Sequence, residues 1–108
     1  MKEPTMSQWQ DVGDTAAFQE DEPRAVTVAG EPVAVVRQGD EFFAVHDICT
    51  HEVARLSEGF VEDGCIECPL HQGLFDLRTG QARKAPCVTP VRVYKTRVQG
   101  GRLEVQAP

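Results

Sequence analysis

Histidine is scarce in this chain, with three residues in 108. Basic residues are also short: eleven Lys and Arg stand against seventeen Asp and Glu, a net charge of -6. That deficit leaves no basic footprint for gripping a phosphate backbone, so nucleic acid is not an expected partner. The first residues carry no apolar leader core, no twin-Arg motif and no membrane span, and Glu20-Asp21-Glu22 follows soon after. The expectation is a cytoplasmic protein outside any membrane. No segment sustains a long helical period, and repeats, low-complexity tracts and long linkers are missing. A Gly-rich dinucleotide fingerprint is also absent, so the chain is not expected to bind a nicotinamide.

What is present is a small domain rich in Val. A chain of 108 residues has an expected radius of gyration of about 13 Å, so a group near one end lies close to the surface. Apolar residues make up 41%, enough for a modest core. Residues 1–8 read as a flexible tail and residues 9–108 as one domain. Strands are expected at residues 9–12, 24–28, 33–37, 41–46, 59–62, 65–67, 74–76, 81–83, 91–98 and 102–106. Turn residues punctuate them: a brief turn at 14–18, then Ala29-Gly30-Glu31-Pro32, Gln38-Gly39-Asp40, Asp63-Gly64, residues 77–80 and Gln99-Gly100-Gly101. Short strands with frequent turns predict an all-β protein, a small antiparallel sandwich or barrel. Charge is uneven along the chain. Residues 1–63 hold 14 acids and 4 bases, whereas residues 64–108 hold 3 acids and 7 bases. That asymmetry suits either oriented docking or a merely solvated surface.

Two segments carry the chemistry, Cys49-Thr50-His51 and Cys68-Pro69-Leu70-His71, with sixteen residues between His51 and Cys68. They use two of the three histidines. Four Cys in a cytoplasmic chain point to metal or redox chemistry before a disulfide frame. Two thiolates with two imidazoles can hold a [2Fe–2S] centre in which His replaces Cys on one iron. A tetrahedral zinc site from Cys49, Cys65, Cys68 and one His is the alternative, and it leaves a ligand-grade His idle. A redox pair at Cys65-Ile66-Glu67-Cys68 ranks lower, because no βαβ pattern surrounds it. Cys65 and Cys87 read as small buried apolar side chains. His46 reads as a half-exposed residue at a strand end. Phe42, Phe43, Phe60 and Phe75 read as packing.

The two motifs together resemble the Rieske ferredoxins of bacterial aromatic-ring-hydroxylating dioxygenases. The similarity extends through Glu52-Val53-Ala54-Arg55-Leu56-Ser57-Glu58-Gly59 and through Gln72-Gly73-Leu74-Phe75-Asp76, and it covers most of residues 9–106. The resemblance implies a Rieske fold with a cluster-binding part at roughly 46–86, built from two loops. It implies one [2Fe–2S] cluster, with Cys49 and Cys68 on one iron and His51 and His71 on the other. Leu70, Gln72, Gly73 and Pro86 would surround and shield it, Pro86 from the position of the family's proline loop. High-potential members carry an extra Cys after each ligand motif, where this chain has Ala54 and Leu70, and a hydroxyl donor where it has Gly73. Donors to the cluster stabilise its reduced, more negative state, so their lack predicts a potential of roughly -150 mV. Gly73→Ser is then expected to raise it.

The family likeness further implies a shuttle with no catalysis of its own. An oxygenase iron needs two His and a carboxylate, and after His51 and His71 only His46 remains. The expected partners are a flavin-dependent ferredoxin reductase as donor and a terminal Rieske oxygenase as acceptor, docking near His51 and His71. A monomer is expected. The alternatives are a small Rieske subunit of a nitrite-reductase-like complex and a zinc-stabilised binding module.

Overall fold

The computed structural model describes residues 8–50, 53–70, 72–85 and 87–107. Of the expected tail only Gln8 is among them, and its carbonyl accepts from the Ala107 N–H at 2.9 Å. Among the described residues, eleven strands form three antiparallel sheets. The strands are β1 Trp9–Asp14, β2 Arg24–Val28, β3 Glu31–Gln38, β4 Glu41–His46, β5 Phe60–Glu62, β6 Cys65–Glu67, β7 Leu74–Asp76, β8 Ala82–Lys84, β9 Val93–Tyr94, β10 Thr96–Gln99 and β11 Arg102–Gln106. The sheet orders are β1-β11-β10, β2-β3-β4-β9 and β5-β6-β7-β8. Short 3-10 turns occupy Thr15–Ala17 and Leu56–Glu58. The expected all-β class is the observed one, and the radius of gyration is 13.5 Å. No helix among the described residues is long and apolar enough to cross a membrane.

In the sheet β2-β3-β4-β9, strand β3 is buried on both faces, and its sequence shows why. Val33, Ala34, Val35 and Val36 are consecutive and fully buried. Strand side chains alternate in direction, so this run feeds two cores at once. Ala34 and Val36 join Val45 of β4 in a core that also holds Cys49, Cys68 and Cys87. Val33 and Val35 join Ala44 in a second core with Phe18, Tyr94 and Leu103. Fully burying each valine contributes about 2 kcal/mol. The core that holds the three cysteines is thus anchored directly to β3, the most buried of the described strands.

Four expectations shift, the first being the turn at 29–32, whose Glu31 and Pro32 already pair with β2 as the start of β3. The single strand at 91–98 divides, because β9 pairs with β4 while β10 pairs with β11 in another sheet. Lys95 is the joint, and its carbonyl accepts from Gln106 N–H at 2.9 Å. The strand at 81–83 lies one residue later, opposite a register shift between Leu74 and Phe75. Phe60, on the edge strand β5, is exposed rather than packed.

The first and last thirds of the chain are tied by Arg102, whose Nε and Nη2 donate to the two Asp11 carboxylate oxygens, each at 3.0 Å. This hydrogen bond holds the Asp11 carboxyl below its ordinary value. A carboxyl with a depressed folded pKa stabilises above its unfolded pKa, and that contribution is lost as pH falls through the folded pKa. An acid unfolding series should therefore show less pH dependence below about pH 4 in Arg102→Gln than in the parent.

Candidate metal centre

The two Cys–His segments fold as matching loops. The Cys49 N–H donates to the Ala54 carbonyl at 2.9 Å, and the Cys68 N–H donates to the Gly73 carbonyl at 2.8 Å. Each loop is thus closed five residues beyond its cysteine. An isolated bridge between Ile48 and Arg55 seals the neck of the first loop. The β6–β7 pair Glu67 and Leu74 seals the second. Asp63 and Gly64, both at positive φ (51° and 76°), make the tight turn that sets β6 and hence Cys68 in place. Gln72 also has a positive φ of 60°, and this left-handed residue swings the Gly73 carbonyl back toward Cys68. His51 and His71 belong to these closed loops by sequence and lie outside the described residues, as does Pro86.

Both loop cysteines are buried, Cys49 to 4% exposure and Cys68 to 1%. A third loop, after β8, brings Cys87 into the same core. Burial first, then the neighbouring Cys49 and its hydrogen bond, then Cys68, push the Cys87 thiol up to about 12. Its side chain also covers Gly73. A Cβ placed on Gly73 would overlap Cys87 Sγ and would lie 3.2 Å from Cys87 Cβ and 3.3 Å from its nitrogen. The third loop is pinned to the first by the Thr50 hydroxyl, which donates to the Thr89 carbonyl at 2.8 Å. Of the other sequence-picked residues, Leu70 is half-exposed and Gln72 is exposed. Gln72 contributes the backbone turn just described.

Sequence reasoning missed Asp47, two residues before Cys49. It is fully buried. Its Oδ1 accepts from the Ser57 N–H at 2.7 Å, and its Oδ2 accepts from the Ser57 hydroxyl at 2.9 Å and Arg55 Nη1 at 3.2 Å. Its carbonyl accepts from Leu56 N–H at 2.7 Å. The carboxylate therefore clamps the end of the first loop to its start. Asp47→Ala strands the Ser57 N–H and hydroxyl and removes the charged acceptor of the half-exposed Arg55, so it is expected to cost about 2 kcal/mol in chemical denaturation. A loss below about 1 kcal/mol, the value of a surface pair, would contradict the clamp.

Cys65 does not join the site. It sits on β6 opposite Asp76, and burial raises its thiol above the ordinary value. Among the described residues, no three Cys, His, Asp or Glu side chains gather closely enough to hold a metal ion. The zinc set that needs Cys49, Cys65 and Cys68 together is therefore not assembled. Cys65 and Cys87 form no disulfide. His46 ends β4 half-buried, with Nδ1 at 3.4 Å from the Tyr94 hydroxyl. The pocket of about 300 Å³ beside it is also lined by Thr50 and Arg92.

The donor chemistry fits a mixed-ligand [2Fe–2S] group. Two buried thiolate donors head equivalent loops, each loop holds one imidazole by sequence, and the core supplies apolar walls. Comparison with known proteins agrees. Residues 8–95 match the Rieske [2Fe-2S] domain family. The anthranilate 1,2-dioxygenase ferredoxin subunit of Burkholderia cepacia is 55% identical over 105 residues, 97% of each chain. The ferredoxin of carbazole 1,9a-dioxygenase from Nocardioides aromaticivorans IC177 superposes with a TM-score of 0.92 at 38% identity, covering 94% of this chain and all of that one. A chain in a complex of reduced oxygenase and oxidized ferredoxin in carbazole 1,9a-dioxygenase superposes with a TM-score of 0.87 at 39% identity, over 93% and 94% of the two chains.

Proposed function

We propose a one-electron carrier as the function of this chain, which belongs to the Rieske [2Fe-2S] domain family. The carrier would take an electron from a flavin-dependent NAD(P)H reductase and deliver it to the terminal oxygenase of an aromatic-ring-hydroxylating dioxygenase system, in the cytoplasm. The observation that carries this reading is the pair of matched loops, each headed by a buried cysteine and each holding a histidine by sequence. When bound, the [2Fe–2S] group accepts and releases a single electron.

Cys49 and Cys68 would hold one iron from the buried side. His51 and His71 would hold the other. Asp47 keeps the first loop closed, and the left-handed Gln72 keeps the second closed. The apolar core beneath excludes water from the sulfurs. Val53, Leu70 and Val88 are 93%, 45% and 80% exposed. They lie one on each of the three loops that meet at the site. Apolar side chains ringing a redox centre suit brief docking, because they give up water readily without fixing a permanent interface. A monomer suits a carrier that must present the same face to two partners in turn.

The test is reconstitution. The purified cluster-loaded protein, added to an NAD(P)H-dependent flavin reductase and an aromatic-ring dioxygenase, should couple NAD(P)H oxidation to ring hydroxylation. Omission of the protein should reduce turnover at least tenfold. Equal turnover without it, across reductase and oxygenase pairs that other ferredoxins of this class support, would overturn the proposal.

A further inference from the structure

Phe60 is 65% exposed, and it is the one exposed aromatic residue among the described residues. Strand alternation fixes the face it stands on. Val61, Ile66 and Phe75 oppose one another across β5, β6 and β7 and pack with the core that holds the cysteines. The residues between them therefore belong to the other face of the sheet. The register sets Phe60, Glu67, Leu74 and Lys84 on that face in one row across four strands. Glu67 directly precedes Cys68 and Leu74 directly follows Gly73, so the row runs up to the second ligand loop. Phe60 is also held in place before any partner arrives. A Cβ on Gly59 would overlap the Glu67 carbonyl oxygen, so glycine lets the two backbones close there. The Gly59 N–H donates to the Leu56 carbonyl at 2.9 Å, and the Ser57 N–H of the same turn is fixed to Asp47.

We propose that this row is a docking surface for the terminal oxygenase, with Phe60 as the anchor that enters an apolar pocket rimmed by Lys or Arg. The proposal rests on the carrier reading. Aromatic side chains dominate the energetics of many interfaces, and an anchor fixed beforehand loses little freedom on binding. The half-buried Leu74 extends the apolar surface along the row. Glu67 stands opposite Phe60, and Glu62 lies two residues along the same face. Neither acid has an ion-pair partner among the described residues. Two unpaired carboxylates beside an apolar anchor complement a basic rim. The rim also selects between the two electron partners. The reduced carrier has one more negative charge than the oxidised one, so a basic surface holds the reduced form more tightly. An acceptor needs that order, because it must bind the reduced carrier and release the oxidised one. A donor needs the reverse. The acidic row is therefore matched to the oxygenase.

The test measures the dissociation constant between the reduced, cluster-loaded carrier and the aromatic-ring dioxygenase that gives coupled turnover in the reconstitution. Phe60→Ala is expected to weaken that binding about tenfold. Its iron content, its midpoint potential and its rate of reduction by the flavin reductase are expected to match the parent. The side chain is exposed, so alanine leaves the core intact. Glu62→Gln is expected to weaken binding less and to flatten its dependence on salt. An unchanged dissociation constant in loaded Phe60→Ala overturns the proposal. An equal or larger loss in the reductase reaction also overturns it, because the row would then serve the donor. So does a parent dimer in sedimentation that Phe60→Ala makes monomeric, because the row would then belong to a second copy of the chain. A parent that loads its cluster yet supports turnover with no oxygenase overturns the carrier reading instead, and that outcome is visible before any variant is made.

Discussion

Gly73→Ser is expected to lose most of its cluster, although the sequence pattern suggests that a hydroxyl at this position would raise the potential. A serine needs a Cβ, and that atom would overlap Cys87 Sγ. Rotating Cys87 relieves the overlap only in part, since its Cβ and nitrogen stay at 3.2 and 3.3 Å from the new atom, tighter than ordinary contact. Cys87 is buried, so its sulfur has nowhere to move without opening the core. The other way out is to push the Gly73 backbone away, which pulls its carbonyl off the Cys68 N–H and opens the second loop. Overpacking a dense site costs about 1–3 kcal/mol, and here the strain falls on the loop that carries Cys68 and His71. Iron and sulfide per chain should fall well below half the parent value. The double variant Gly73→Ser with Cys87→Ala should regain loading, because the two side chains compete for one volume. A fully loaded single variant with a raised midpoint would show that the overlap does not govern the site.

His71→Ala is expected to abolish cluster binding altogether. The reading gives the outer iron two nitrogen ligands, one from each loop, and alanine offers none. Cys68 and Gly73 would still close their hydrogen bond, so the fold of β5 to β8 should survive while the loop gains mobility. The expected product is a folded, colourless protein with the strand-rich circular dichroism of the parent. His46→Ala is the matched control. It removes the remaining histidine, whose contact is the Tyr94 hydroxyl, and should leave iron content unchanged. Retained iron, sulfide and spectrum in His71→Ala would refute the ligand assignment.

The hairpins were legible because their turns declare themselves. Gly39-Asp40 and Asp63-Gly64 sit between strands whose alternation matches the observed pairing of β3 with β4 and β5 with β6. The break at Lys95 was not legible. Residues 91–98 read as one run rich in Val and Arg with no turn residue, and a strand that changes sheets keeps its extended backbone while changing its partner. Phe60 misled for a related reason: an aromatic residue in a strand reads as core unless the strand is known to be an edge.

At the site, Cys49 and Cys68 could be found from spacing, since two Cys–His pairs in a chain with three histidines are conspicuous. Asp47 could not. It is one of seventeen acids, and nothing local distinguishes a buried carboxylate from a solvated one. Cys87 lies nineteen residues beyond Cys68. Its proximity to Cys49 and Gly73 depends on how the third loop folds over the other two, and the one local sign of it is the missing side chain at position 73.

The central claim, that this chain is a one-electron carrier, is tested most directly by a reductive titration of the purified protein followed by spin resonance. The account predicts two iron and two sulfide per chain, uptake of one electron, and a single Rieske-type signal that grows in step with that electron. A colourless protein containing zinc, or one that takes up no electron within the roughly -150 to +300 mV span of Rieske centres, would contradict it.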